Sequence, residues 1–111
     1  DWYATKGYVS VSSGTLISDE KIFTNSYSSN SWGSAASNVV IVASSGDITL
    51  NQGYGSITGV LYAPYGKVTF DGGSFTGVVI AGNGFSSTHG GTTITFTNLN
   101  NYFSSPDDYP F

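Results

Sequence analysis

Residues 46–82 contain one pattern written twice, and this repetition narrows the fold more than any other feature of the chain. Gly46-Asp47-Ile48-Thr49-Leu50 is answered by Gly66-Lys67-Val68-Thr69-Phe70. Ser56-Ile57-Thr58-Gly59-Val60-Leu61-Tyr62-Ala63 is answered by Ser74-Phe75-Thr76-Gly77-Val78-Val79-Ile80-Ala81. The first pair is offset by 20 residues and the second by 18, so the second copy has lost two loop residues. A unit this short, with two apolar runs and glycine corners, cannot bury its apolar faces alone and must stack on its neighbours.

Both runs extend to a third copy. Val39-Val40-Ile41-Val42-Ala43 aligns with the runs beginning at Val60 and Val78; all three are short, rich in β-branched residues and bounded by turn residues, which makes them strands. Ile48-Thr49-Leu50, Val68-Thr69-Phe70 and Ile94-Thr95-Phe96 form a second row. The alternation predicts inward ladders Ile48/Val68/Ile94 and Leu50/Phe70/Phe96, with Thr49/Thr69/Thr95 outward. The last interval in this row is 26 residues, which puts extra residues into the loop 83–91.

The fold expected is all-β, a right-handed parallel β-helix or solenoid of about three to four turns with repeats of about 18–20 residues. The handedness follows the usual sense of β crossovers. An antiparallel β-sandwich is the alternative, since its strands recur at similar spacing without stacking in parallel.

The chain reads as a single domain, 1–111, with a repeat core at 38–97, a lead-in at 1–37 and a C-terminal cap at 98–111. In the lead-in, Tyr8, Val9 and Val11 alternate with polar residues as a strand. Thr15-Leu16-Ile17 and Lys21-Ile22-Phe23-Thr24 are short strands around a Ser18-Asp19-Glu20 turn. Residues 25–38 are a polar surface loop pinned by Trp32. The tail, with Leu99, Tyr102, Phe103, Tyr109, Phe111 and two prolines, is expected to cover the open end of the solenoid.

Composition excludes several functions. Three Lys, no Arg and a net charge of −4 do not suit nucleic acid. Without Cys there is no disulfide or thiolate chemistry. His89, read as an exposed loop residue, is the only histidine, so neither a catalytic base with a partner nor a zinc set assembles. Asp71, Asp107 and Asp108 are oxygen donors, but no calcium-loop spacing accompanies them. Gly82-Asn83-Gly84 and Gly90-Gly91 read as solenoid corners, because no helix follows to make a phosphate cradle. One column of three Thr is too little for an ice-binding face. A Lys–Asn isopeptide would need Lys6, Lys21 or Lys67 buried beside an Asn and a carboxylate. No cofactor, metal or catalytic residue is therefore expected, and the chain is read as a non-enzyme.

Charged residues make up 9% of the chain against about 25% in typical domains, over a surface rich in Ser, Thr, Gly and Asn. That composition, without an N-glycosylation sequon, fits a bacterial extracellular protein. The start at Asp1, without Met, reads as a mature or trimmed fragment.

The strands at 39–43, 60–63 and 78–81 are apolar on both faces, as are strands covered on both sides. Either Val60/Val78 with Tyr62/Ile80 or Leu61/Val79 with Ala63/Ala81 points inward, and Gly59 and Gly77 leave the parity open. The candidate interaction face is Val40, Val42, Val60, Tyr62, Val78 and Ile80. An outward apolar patch of this kind should be covered by the lead-in, by the tail, or by a missing helix or partner subunit.

The stretch Gly59-Val60-Leu61-Tyr62-Ala63-Pro64-Tyr65-Gly66-Lys67-Val68-Thr69-Phe70-Asp71-Gly72-Gly73, followed by Gly77-Val78-Val79-Ile80-Ala81, resembles a pattern in the β-solenoid domains of bacterial pilin-like, PilX-like pilus-assembly proteins and anchored surface proteins. The likeness spans residues 38–97, and its Tyr-Ala-Pro step and Gly-Gly turn are the most specific parts. The resemblance implies a structural or adhesive module of a surface filament, a minor pilin-like subunit. Its partners would be other pilus or surface subunits, with surface polysaccharide second. A membrane would be met only through a missing N-terminal segment, because the chain lacks the apolar helix with which such pilins begin. A carbohydrate-binding module is the alternative, through exposed Tyr and Trp.

Overall fold

The computed structural model describes residues 2–29, 35–51, 55–87 and 92–110. Expectations resting on Trp32, His89, Gly90, Gly91 and Phe111 lie outside the described residues. After a helical turn at Trp2–Thr5, the chain alternates between two sheets. The longer sheet holds β1 (Lys21–Thr24), β3 (Ala36–Ala43), β5 (Ser56–Ala63), β7 (Ser74–Ala81) and β9 (Thr93–Phe96), in that order. The shorter holds β2 (Tyr27–Ser29), β4 (Ile48–Leu50), β6 (Val68–Phe70) and β8 (Phe85–Ser86). Every pairing is parallel, so each coil supplies one strand to each sheet and the protein is a parallel β-solenoid, not a sandwich. We call the β1 end lower and the β9 end upper.

The repeat register is the one the sequence pattern predicts over its middle coils. Ser56 to Ala63 lie residue for residue beneath Ser74 to Ala81, and Ile48-Thr49-Leu50 lie beneath Val68-Thr69-Phe70. Asp47 and Lys67 stack as expected, but the Asp47 carboxylate takes the backbone N–H of Lys67 at 2.8 Å. Between the sheets, Ile41, Leu61, Ile48, Leu50, Val68, Phe70 and Phe75 form a core with essentially no exposure. Each such side chain contributes about 1.5–3 kcal/mol of burial.

The glycine corner leaves the parity intact. Ile57, Leu61 and Ala63 all point inward, as do Phe75, Val79 and Ala81 one coil higher. Gly59 and Gly77 are required by close approach: a Cβ on Gly77 would overlap the Gly59 carbonyl, and one on Gly59 would overlap that of Val39. In β3 the matching step is a bulge between Ala36 and Val39, with Asn38 at φ 58°. Asn is among the few side chains that tolerate that conformation.

Four expectations are corrected. First, Ile94-Thr95-Phe96 belongs to the longer sheet, where Ile94 lies over Phe75 and Thr95 over Thr76. An apolar-Thr-X triplet occurs in both rows, and the 19-residue step from Phe75 to Ile94 fits the repeat without an insertion. Phe85-Ser86 instead caps Val68-Thr69, so Phe96 does not touch the top of the Phe70 column; it stands over Gly77 and is 62% exposed.

Second, the coils begin at Lys21, with Ile22 beneath Ile41 and Tyr27 beneath Ile48. Tyr27 and Ser29 fill core positions within what reads as a polar loop, and small polar neighbours hide them. Third, Thr15-Leu16-Ile17 is not a strand, and residues 8–13 join the coils only through bridges at Val9 and Ser13. Leu16 is buried against the core and Ile17 is exposed. Fourth, the tail does not roof the open end. It runs along the outside of the longer sheet.

Candidate interaction face

Alternation along β3, β5 and β7 sends Val40, Val42, Val60, Tyr62, Val78 and Ile80 away from the solenoid core, the set named from the sequence. The first three are buried all the same, at 2%, 2% and 0% exposure. Tyr62, Val78 and Ile80, nearer the upper end, are half-buried. What covers the face is the chain's own two ends: Tyr3 and Tyr8 from one side, and Leu99, Tyr102, Phe103 and Tyr109 from the other.

The two ends are fastened to the sheet and to each other. Tyr3 stacks on Phe23 of β1 at 3.9 Å between centroids and meets Tyr8 edge-on at 5.2 Å. Its hydroxyl donates to the Pro110 carbonyl. Phe103 packs on Tyr109 at 5.5 Å. Tyr102 donates to the Thr76 carbonyl at 3.1 Å, which pins the tail as it leaves β9. Ser105 caps the short 3₁₀ turn Pro106–Asp108 by accepting from the Asp107 N–H. Lys6 then reaches Asp108 at 2.8 Å, and both side chains are about a third exposed, at 34% and 31%. This is an ion pair across the clasp, not the buried Lys, Asn and carboxylate set that an isopeptide needs.

Electrostatics follow burial. Tyr8 is buried and its hydroxyl finds no hydrogen-bond partner among the described residues. Desolvation pushes its pKa well up, with smaller contributions from Tyr3 and Asp108. Tyr3 is raised too, first by burial and then by Tyr62. The hydrogen bond from Lys6 holds the Asp108 carboxyl below its ordinary value. A cavity of about 100 Å³ lies beside this cluster, lined by Tyr3, Ala4, Tyr8, Val9, Ser10 and Phe23.

No other chemistry converges. Among the described residues no three His, Cys, Asp or Glu side chains group to hold a metal, and no helix is long and apolar enough to cross a membrane. Among the described residues the exposed rings are Trp2 on the N-terminal helical turn, Tyr65 in the turn after β5, and Phe96 at the end of β9. Sequence reasoning found the face and its need for cover. It named the lead-in and the tail among the candidate covers, and rings from both lie over the face. The fold and face define a parallel β-solenoid whose outer face is clasped by residues 3–8 and 99–109. No protein-family model, curated protein or solved structure matches the chain.

Proposed function

We propose that this domain is a non-catalytic structural module of a bacterial surface filament, a minor pilin-like subunit whose partners are other surface proteins. The observation that carries the reading is the clasp. It closes most of the large apolar face from within, over a stack of parallel coils in which no three His, Cys, Asp or Glu side chains group among the described residues. The resemblance of residues 59–81 to pilin-like solenoids points the same way. Antibodies raised against the folded domain should label intact source cells and a sheared filament fraction. Labelling that appears only after lysis would sink the reading.

A carbohydrate-binding module is the second reading, and Tyr65 favours it. Its ring is 74% exposed on a coil corner, where Asn83 fastens the backbone by donating to the Tyr65 carbonyl at 3.2 Å. Such a ring can stack on a sugar. Binding to a polysaccharide array that disappears in Tyr65→Ala would put this reading first.

A further inference from the structure

We infer that the upper end of the solenoid is a docking surface for the lower end of a second copy of this chain, so that copies add head to tail. The inference deepens the filament reading by naming a partner, and it rests on that reading for its cellular setting.

The upper end is an unfinished coil. Among the described residues β9 is the last strand of its sheet and covers β7 only from Ser74 to Gly77, so Val78 to Ala81 have no described strand above them. On the other side β8 covers only Val68 and Thr69 of β6. The side chains are unfinished in the same way. Leu61 and Ala63 are 0% exposed, whereas Val79 and Ala81, at the same positions one coil higher, are only partly buried. Phe96 occupies the next place above Gly77 and is 62% exposed, with Phe85 edge-on at 6.2 Å as its aromatic neighbour.

Edge strands are usually protected by charge, proline or a covering segment. Here the sequence carries no Asp, Glu, Lys or Arg between Gly72 and Pro106. The tail, which has the aromatics to act as a roof, leads away over the outer face towards Tyr3 and Lys6 beside the lowest coil.

The occupant must offer a strand running in the same direction, with its lower row of backbone groups engaged by the upper edge below it. The lower end of this chain has that form. Residues 8–13 bridge to β1 and β2 in parallel, with the Val9 N–H donating to the Lys21 carbonyl and the Val9 carbonyl accepting from the Phe23 N–H. The Ser10 backbone groups on the alternate position face the other way, downward, while the Tyr8 N–H is taken by the Tyr3 carbonyl at 3.0 Å. Val9, Val11 and Ile17 expose 45%, 40% and 62% of their surface there. Leu16 is buried in the core beside them, so this end presents exposed apolar residues over a closed core. Upper and lower ends are different surfaces, so the contact is heterologous. Stacking by about 4.8 Å per strand continues the coil axis and does not close a ring.

Sedimentation velocity over a concentration series tests this. The wild type should grow through dimers and trimers without a preferred size. Phe96→Asp at the upper end and Ile17→Asp at the lower end should each leave monomers. Mixed in equal amounts, the two should form dimers that grow no further, because each supplies the surface that the other lacks. Both side chains are exposed, and an unchanged circular dichroism spectrum checks folding. Thr95→Lys, also exposed, is a second upper variant expected to match Phe96→Asp. A wild type that stays monomeric, or a mixture that does, overturns the inference. So does loss of association in Phe96→Asp but not in Ile17→Asp, which would mean upper ends meeting face to face. Surface labelling of cells remains a separate test, so failure here leaves the filament reading to stand or fall on its own experiment.

Discussion

The two sheets wrap one core but meet different surroundings on their outer sides. In the shorter sheet the outward row is Ser28, Thr49 and Thr69, each partly exposed, between rows that point inward. In the longer sheet the outward Val40, Val42 and Val60 are as buried as the inward Ile41 and Leu61. Coil geometry alone determines which face is inward. What lies outward is decided by segments distant in the sequence, here the aromatic ends that clasp over the longer sheet. The chain registers this as alternation in one row and continuous apolar runs in the other.

The largest effect tests what the sheets share. Phe70 has no exposure, stacks over Leu50 and lies 5.8 Å from Phe75, so it joins both sheets across the core. Phe70→Ala should cost about 3–5 kcal/mol in urea unfolding. A loss as small as a surface substitution would mean that the coils are held by backbone ladders alone.

Alkaline stability separates the interior from the outer face next. Burial raises the Tyr27 phenol from an ordinary value of about 10 to about 12, with a further push from Glu20. A phenol with a raised folded pKa contributes stability that is complete below the unfolded value. That contribution is lost as pH climbs through the folded one. Wild-type melting temperature should therefore fall between about pH 10 and 12. Tyr27→Phe keeps the ring and should flatten the fall more than Tyr3→Phe, whose ring lies on the outer face. Equal flattening would show that the rim of the clasp at Tyr3 excludes water as well as the core does, as the clasp already does around the buried Tyr8.

A pair of near-isosteric exchanges compares the outer sides directly. Val60→Thr places a hydroxyl beneath the clasp and should cost about 1–3 kcal/mol, the penalty of an unpaired buried polar group. Thr69→Val on the half-exposed row should stay within about 0.5 kcal/mol. Equal losses in the two variants would mean that the outer sides do not differ in water access.

Much of this was legible because repeats constrain one another. Three aligned runs predicted the parallel stack, and apolar residues on both faces of residues 39–43 predicted a cover. Legibility failed where a coil lost its apolar signature or shared it. Tyr27-Ser28-Ser29 fills the place of Ile48-Thr49-Leu50 with mostly polar residues, yet its neighbours above impose the strand. Ile94-Thr95-Phe96 matches both rows, and only the repeat length discriminates between them. The path of the tail was hidden for another reason: aromatic residues show that a segment needs cover, not which surface supplies it.

The smallest effect concerns how the clasp is held. Lys6 and Asp108 pair at 2.8 Å between the two ends of the chain, and Ser104 also donates to the carboxylate, at 3.4 Å. Lys6 holds the Asp108 carboxyl below its ordinary value, so the pair contributes above the unfolded carboxylate value, about 3.9. That contribution is lost as pH falls through the lower folded value. The pair is partly exposed, so salt should screen it and its removal should barely move the melting temperature at neutral pH. Asp108→Asn should therefore match the wild type in high salt and at low pH, and fall slightly below it only at neutral pH and low salt. The clasp itself should survive, because Tyr3, Tyr8 and Phe103 hold it by burial. Near-ultraviolet circular dichroism of the variant should keep the aromatic signal of the packed rings. If that signal collapses, the ion pair and not the apolar contact closes the outer face, and the difference between the two sheets has an electrostatic origin.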